Sequence, residues 1–120
     1  MNIRNIMFMF IVFCTTQISN AIQLEIKNNV SEPVLVRVND DKLREIRLDS
    51  HGDRTTIDFM PDKLGVRKEG GLLHESRMQT ALEAVKADIL AHPNDIRKRS
   101  IIIKAGTGIL HPFAFDTGIS

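Results

Sequence analysis

Apolar and polar residues alternate with a period of two over much of the first half of the chain. Ile22, Leu24 and Ile26 stand opposite Gln23, Glu25 and Lys27, and Asn28-Asn29 then marks a turn. Val34, Val36 and Val38 form the next alternating face, closed by Asn39-Asp40-Asp41. Leu43 to Leu48 follows, with Ile46 and Leu48 on one side and Glu45 and Arg47 on the other. After Ser50-His51-Gly52-Asp53 comes a fourth face, Thr55-Ile57-Phe59. Alternation of this kind is the mark of strands with one wetted side, and Asn, Asp and Gly between them tolerate left-handed backbone. The spacing predicts an antiparallel meander or half of a sandwich.

Residues 61–71, Pro-Asp-Lys-Leu-Gly-Val-Arg-Lys-Glu-Gly-Gly, break the pattern. Their glycines, proline and charges predict a mobile connection rather than a core element. The period then changes. Met78, Leu82, Val85 and Ile89 recur at helical spacing with Ala81 beside them, which predicts an amphipathic helix over Arg77–Ala91. Ser76 with Gln79 matches a capping box, and Pro93 stops the helix. Ile101-Ile102-Ile103 predicts a strand buried on both faces, and Phe113-Ala114-Phe115 alternates as an edge strand would. The expected fold class is α+β: an N-terminal antiparallel sheet of about four strands, one amphipathic helix and a C-terminal strand. A β-sandwich with a helical insert is the alternative.

The first residues belong to another kind of pattern. Met1 and Arg4 carry positive charge, Ile6 to Cys14 is unbroken apolar, and Ser19 and Ala21 are small residues at an exit site. This is the layout of a secretory signal peptide, with cleavage expected between Ala21 and Ile22. The apolar run is far shorter than the roughly 20 residues a spanning helix needs, so no stable membrane anchor is expected after cleavage. Residues 22–120 are then a single small domain in a periplasmic or extracellular setting.

Cleavage changes the chemistry available. Cys14 is the only cysteine, so residues 22–120 contain no thiol, which excludes disulfide stapling, thiolate catalysis and thiol redox chemistry. The chain has 16 Lys+Arg and 15 Asp+Glu, and Arg4 is the one charged side chain before Ile22, so the remainder is neutral. Neutral charge and the absence of Trp and Tyr argue against nucleic acid and polysaccharide as partners.

Asp116-Thr117-Gly118 resembles the active-site tripeptide of aspartic proteases, but that mechanism needs a paired carboxylate and further chain. Gly106-Thr107-Gly108 follows a strand, but Ile-Leu-His-Pro does not open the helix a phosphate cradle requires. No serine lies in a nucleophile elbow. His51 and Asp53, two residues apart, are candidate metal ligands, with His74 and His111 as the remaining pool. Arg97-Lys98-Arg99 is a basic cluster that serves as a charged collar, a docking spot for an acidic partner, or a processing site that releases the segment after Arg99. Asn29-Val30-Ser31 is a glycosylation sequon in a predicted turn.

These observations point to a small exported, non-enzymatic protein that binds another protein, as accessory factor, inhibitor or effector. No catalytic residue and no cofactor is called for. Strand addition at a sheet edge is the expected mode, at the first strand or at Phe113–Phe115, with Arg97, Lys98, Arg99, Phe113 and Phe115 as candidate contacts. A small secreted hydrolase or metal-dependent enzyme built on His51, Asp53, His74 and His111, and a peptide precursor cleaved after Arg99, are the alternatives.

Overall fold

The computed structural model describes residues 22–119. The expected signal peptide, residues 1–21, lies outside the described residues.

Among the described residues, seven strands and one helix follow in the order β1 (Leu24–Asn28), β2 (Val34–Val38), β3 (Glu45–Leu48), β4 (Asp53–Ile57), β5 (Leu64–Lys68), α1 (Ser76–Ala91), β6 (Arg99–Ala105) and β7 (Phe113–Ile119). They form a four-stranded sheet, β4-β1-β6-β7, and a three-stranded sheet, β3-β2-β5. The α+β class expected from the periodicity holds. The first four strands do not make one meander, however: β1 and β4 pair with each other, while β2 and β3 belong to the second sheet. β1 is also paired in parallel with β6, so it is internal and offers no free edge.

The apolar faces of the two sheets share one core with α1. Leu24, Ile26, Ile101 and Ile103 come from the larger sheet, Val34, Val36, Leu64 and Val66 from the smaller one, and Met78, Leu82 and Val85 from the helix. Removing a large apolar side chain from water contributes about 1.5–3 kcal/mol, so the helix stripe alone is a substantial fraction of what holds α1 in place. The helix packs on β7, β6 and β5 and so bridges the two sheets along one side. On the opposite side, the Asp49–Gly52 corner joins β3 to β4.

The segment 61–71 departs from the sequence expectation. It contains β5, whose Leu64 and Val66 are fully buried. Its composition is that of a loop, but β2 supplies a complete antiparallel ladder from Val34–Lys68 to Val38–Leu64. Gly65 is needed for close packing: a Cβ there would sit 3.0 Å from Leu73 Cδ1 and 3.1 Å from Glu75 Cγ. The capping box is also not formed. Glu75 is the N-cap without a side-chain bond, and Gln79 instead reaches β5, donating to the Asp62 carbonyl at 2.9 Å and accepting from the Leu64 amide at 3.1 Å. Ile102 is half-buried rather than buried on both faces, because the outer face of β6 carries no covering layer.

Two corners are locked by asparagine. Asn28, fully buried, donates from Nδ2 to the carbonyls of Glu32 (3.0 Å), Asp49 (3.0 Å) and Leu48 (3.3 Å) and accepts from the Val30 amide at 2.9 Å. It ties the exit of β1 to the corner between β3 and β4. Asn39, with φ 54°, accepts from the amides of Asp62 (2.8 Å) and Lys63 (3.2 Å) and anchors the entry to β5.

Candidate functional site

The sequence-derived candidates separate into three places. His51 and Asp53 sit at the corner between the sheets. His51 has φ 58° and its amide donates to the Val30 carbonyl at 3.2 Å. The Asp53 carboxylate accepts from the amides of Asp49 (2.9 Å) and Arg54 (3.0 Å). The Asp53 carboxylate is occupied in making the turn, and His51 takes part in it through its backbone. His74 and His111 are elsewhere, on the wall of one cavity. Among the described residues no three His, Cys, Asp or Glu side chains converge as a metal site would require.

The basic triplet is dispersed. Arg97 forms a two-pronged pair with Asp95 at 2.9 and 2.6 Å, and that hydrogen bonding holds the Asp95 carboxyl well below the usual carboxylate range. Lys98 reaches Glu25 at 3.0 Å on the outer face of the larger sheet. Arg99 points the other way and is 1% exposed. Its guanidinium donates to Asp88 Oδ2 at 2.9 Å, to the Asp95 carbonyl at 3.1 Å and to the Arg97 carbonyl. The bond after Arg99 lies in a strand paired on both sides, with Leu24 and Ile119 as the register partners of Arg99. A processing enzyme needs an exposed, extended chain, and this bond is neither exposed nor free.

Phe113 and Phe115 lie on β7, which is the outermost strand of the larger sheet. Phe113 is buried, edge-on to the His74 ring at a centroid distance of 5.6 Å and 74°. It is a wall of the core rather than a surface contact. Phe115 is half-buried, and Asp116, Thr117, Gly118 and Ile119 are exposed. Residues 113–119 make no backbone hydrogen bond beyond the β6 ladder among the described residues. An edge strand of this kind presents a row of unpaired N–H and C=O groups to solvent.

The other edges are shorter or already bridged. His74 forms a bridge with Val66, with bonds of 2.8 and 3.0 Å, on the outer side of β5. β3 and β4, four and five residues long, flank a shallow groove of about 390 Å³ lined by Val38, Ile46, Ile57 and Phe59. β7 has seven residues and runs beside α1. Two cavities lie along the seam between them. One, of about 350 Å³, is at the start of both elements and is lined by His74, Arg77, Leu110, His111, Phe113 and Phe115 among others. The other, of about 320 Å³, is toward their far ends, between Val85, Asp88 and Thr117–Ile119.

Compared with protein-family models, curated proteins and solved structures, the chain matches none. The alternation that predicts a strand at Phe113–Phe115 continues through Thr117 to Ile119, the end of β7. Arg77 and Leu110 are wall residues of the seam that the pattern does not predict. Nothing in local spacing marks either one, since they meet only through the packing of α1 beside the loop before β7.

Proposed function

We propose that this is a small exported protein that acts by binding another protein, taking an extended segment of the partner as an added strand along β7. The observation that carries this reading is the free outer edge of β7, seven residues long, beside a helix that leaves room for side chains at two places. Main-chain hydrogen bonds along such an edge supply affinity, and flanking pockets for alternate side chains supply specificity. The edge carries only one charged residue, Asp116, which is paired with Lys104, and no proline. Edges not meant for pairing are usually blunted by lysine, proline or a bulge.

The test uses a photo-reactive amino acid placed at Thr117 in cells that export the protein, with a second probe at Leu43, which is 95% exposed in the turn before β3. A discrete adduct from position 117 and none from position 43 supports edge binding. The same adducts from both positions, or from neither, refute it. An intact mass beginning at Ile22 in the exported fraction tests the leader.

A further inference from the structure

We infer that the β7 edge reads a free C-terminus: the partner's last residue is apolar and occupies the cavity beside Phe113, with its terminal carboxylate at Arg77. This inference rests on the strand-addition reading and names the partner chemistry for it.

Direction comes first. A strand added antiparallel to β7 places its C-terminal end beside Phe113, where β7 begins, and antiparallel strands pair slightly better per residue. The cavity at that end holds about 350 Å³ and has Leu73, Leu110, Pro112, Phe113 and Phe115 in its walls. Those groups take an apolar side chain. His74, Pro112 and Phe113 also line a neighbouring cavity of about 520 Å³, so they form the partition between the two. A segment entering along β7 meets this partition.

Charge comes next. The ion pairs of α1 are Lys86–Glu83, His92–Asp88 and Arg99–Asp88, and none of them involves Arg77 among the described residues. Arg77 is exposed on the cavity rim. Glu75 also lines the cavity, with its Cγ packed toward Gly65, and it borders a separate small void together with Arg37, Asp40 and Lys63. Arg77 is thus the cation left for an incoming anion, and a guanidinium matches a carboxylate with two parallel hydrogen bonds. An internal Asp or Glu would carry its charge at the tip of its side chain, into the apolar walls. A C-terminal Val, Leu or Phe separates the two: the side chain enters the cavity while the carboxylate stays on the backbone at the rim.

The probe is a random decapeptide library displayed with free C-termini and selected on the purified protein. Selected peptides are expected to share an apolar last residue. Amidation of that terminus should weaken binding at least tenfold, as should Arg77→Glu, while Arg77→Lys retains most of it. Binding that is indifferent to amidation overturns the inference, and so does a selection that yields no peptide. The strand-addition reading is separable. Peptides that ignore amidation but are abolished by N-methylating alternate backbone amides leave edge pairing standing and remove the C-terminal reading. Peptides indifferent to both changes remove both.

Discussion

Asn28 provides the sharpest test of how the two sheets are joined. Its amide makes contacts to three carbonyls and one backbone amide from a position with no solvent exposure. The NH2 group has two hydrogens, so the 3.3 Å contact to Leu48 shares a donor with one of the 3.0 Å contacts. Asn28→Ala therefore removes about three net hydrogen bonds, each about 1 kcal/mol, and leaves the Val30 N–H buried without a partner, a further cost of about 1–3 kcal/mol. The expected loss is about 4–6 kcal/mol, a large share of the roughly 5–15 kcal/mol that holds a domain of this size. The midpoint of thermal unfolding should fall by about 15–30 °C. Asn28→Asp separates shape from hydrogen bonding. It is nearly isosteric and keeps the acceptor for Val30, but an ionised carboxylate would face three carbonyl oxygens with no donor. It is expected to be more destabilising than Asn28→Ala at neutral pH. Its deficit should shrink as pH falls, because the folded state favours the protonated acid: a folded-state pKa raised above the unfolded value gives stability below the unfolded value and loses it as pH rises. The chain has no Trp or Tyr, so far-UV circular dichroism with urea is the suitable assay. Equal stability of Asn28→Asp and the parent at neutral pH would refute the hydrogen-bonding assignment.

Gly106→Ala should lower stability by about 1–3 kcal/mol, since a Cβ there would lie 1.8 Å from the His111 carbonyl oxygen and 2.8 Å from the Phe113 amide nitrogen; an unchanged melting temperature counts against the loop geometry. Arg99→Ala removes buried packing and three donor contacts while leaving Asp88 partly in water, so a loss of about 2–4 kcal/mol is expected. Arg99→Met refills most of the volume and should cost less, and urea midpoints that rank the two in reverse contradict this account. Acid should weaken the fold through two carboxylates. Hydrogen bonding from Arg67 holds the Glu45 carboxyl below its ordinary value of 4.5, and Arg97 does the same for Asp95 below 3.8. A depressed folded-state value contributes stability above the unfolded value and loses it as pH falls, so urea midpoints should be level above about pH 5 and decline below it. In Glu45→Gln the decline should be shallower, and an identical acid limb would exclude Glu45 as a contributor.

Local periodicity decides what is local. Val34–Val38 alternates and is a strand, Met78-Leu82-Val85 recurs at helical spacing and is the buried stripe of α1, and left-handed backbone falls at turn residues, Asn39, Asp40, His51, Gly52 and Gly70. Side-chain direction within an element depends only on its own backbone geometry, so it is legible from neighbouring residues. Part of the candidate site was legible in the same way, because Phe113 and Phe115 alternate.

Pairing is not local, and there the structure decided. Leu64-Gly65-Val66 reads as loop by composition and is a core strand because β2 already presents a complementary edge and Gln79 anchors its first amide. Ile22–Lys27 reads as a strand suited to an edge, yet it is the paired centre of the larger sheet because β6, some seventy positions later, returns parallel to it. Arg97-Lys98-Arg99 reads as one basic patch, but successive residues on a path entering a sheet face opposite sides, so Lys98 meets Glu25 outside while Arg99 is drawn under the helix to Asp88. The sequence alone determined the kinds of element, the positions of the turns and a thiol-free, charge-neutral composition after residue 21. Only the tertiary structure decided which strands became edges, since a strand's free backbone groups are defined by the neighbours it lacks, and with them which residues stand where a partner could bind.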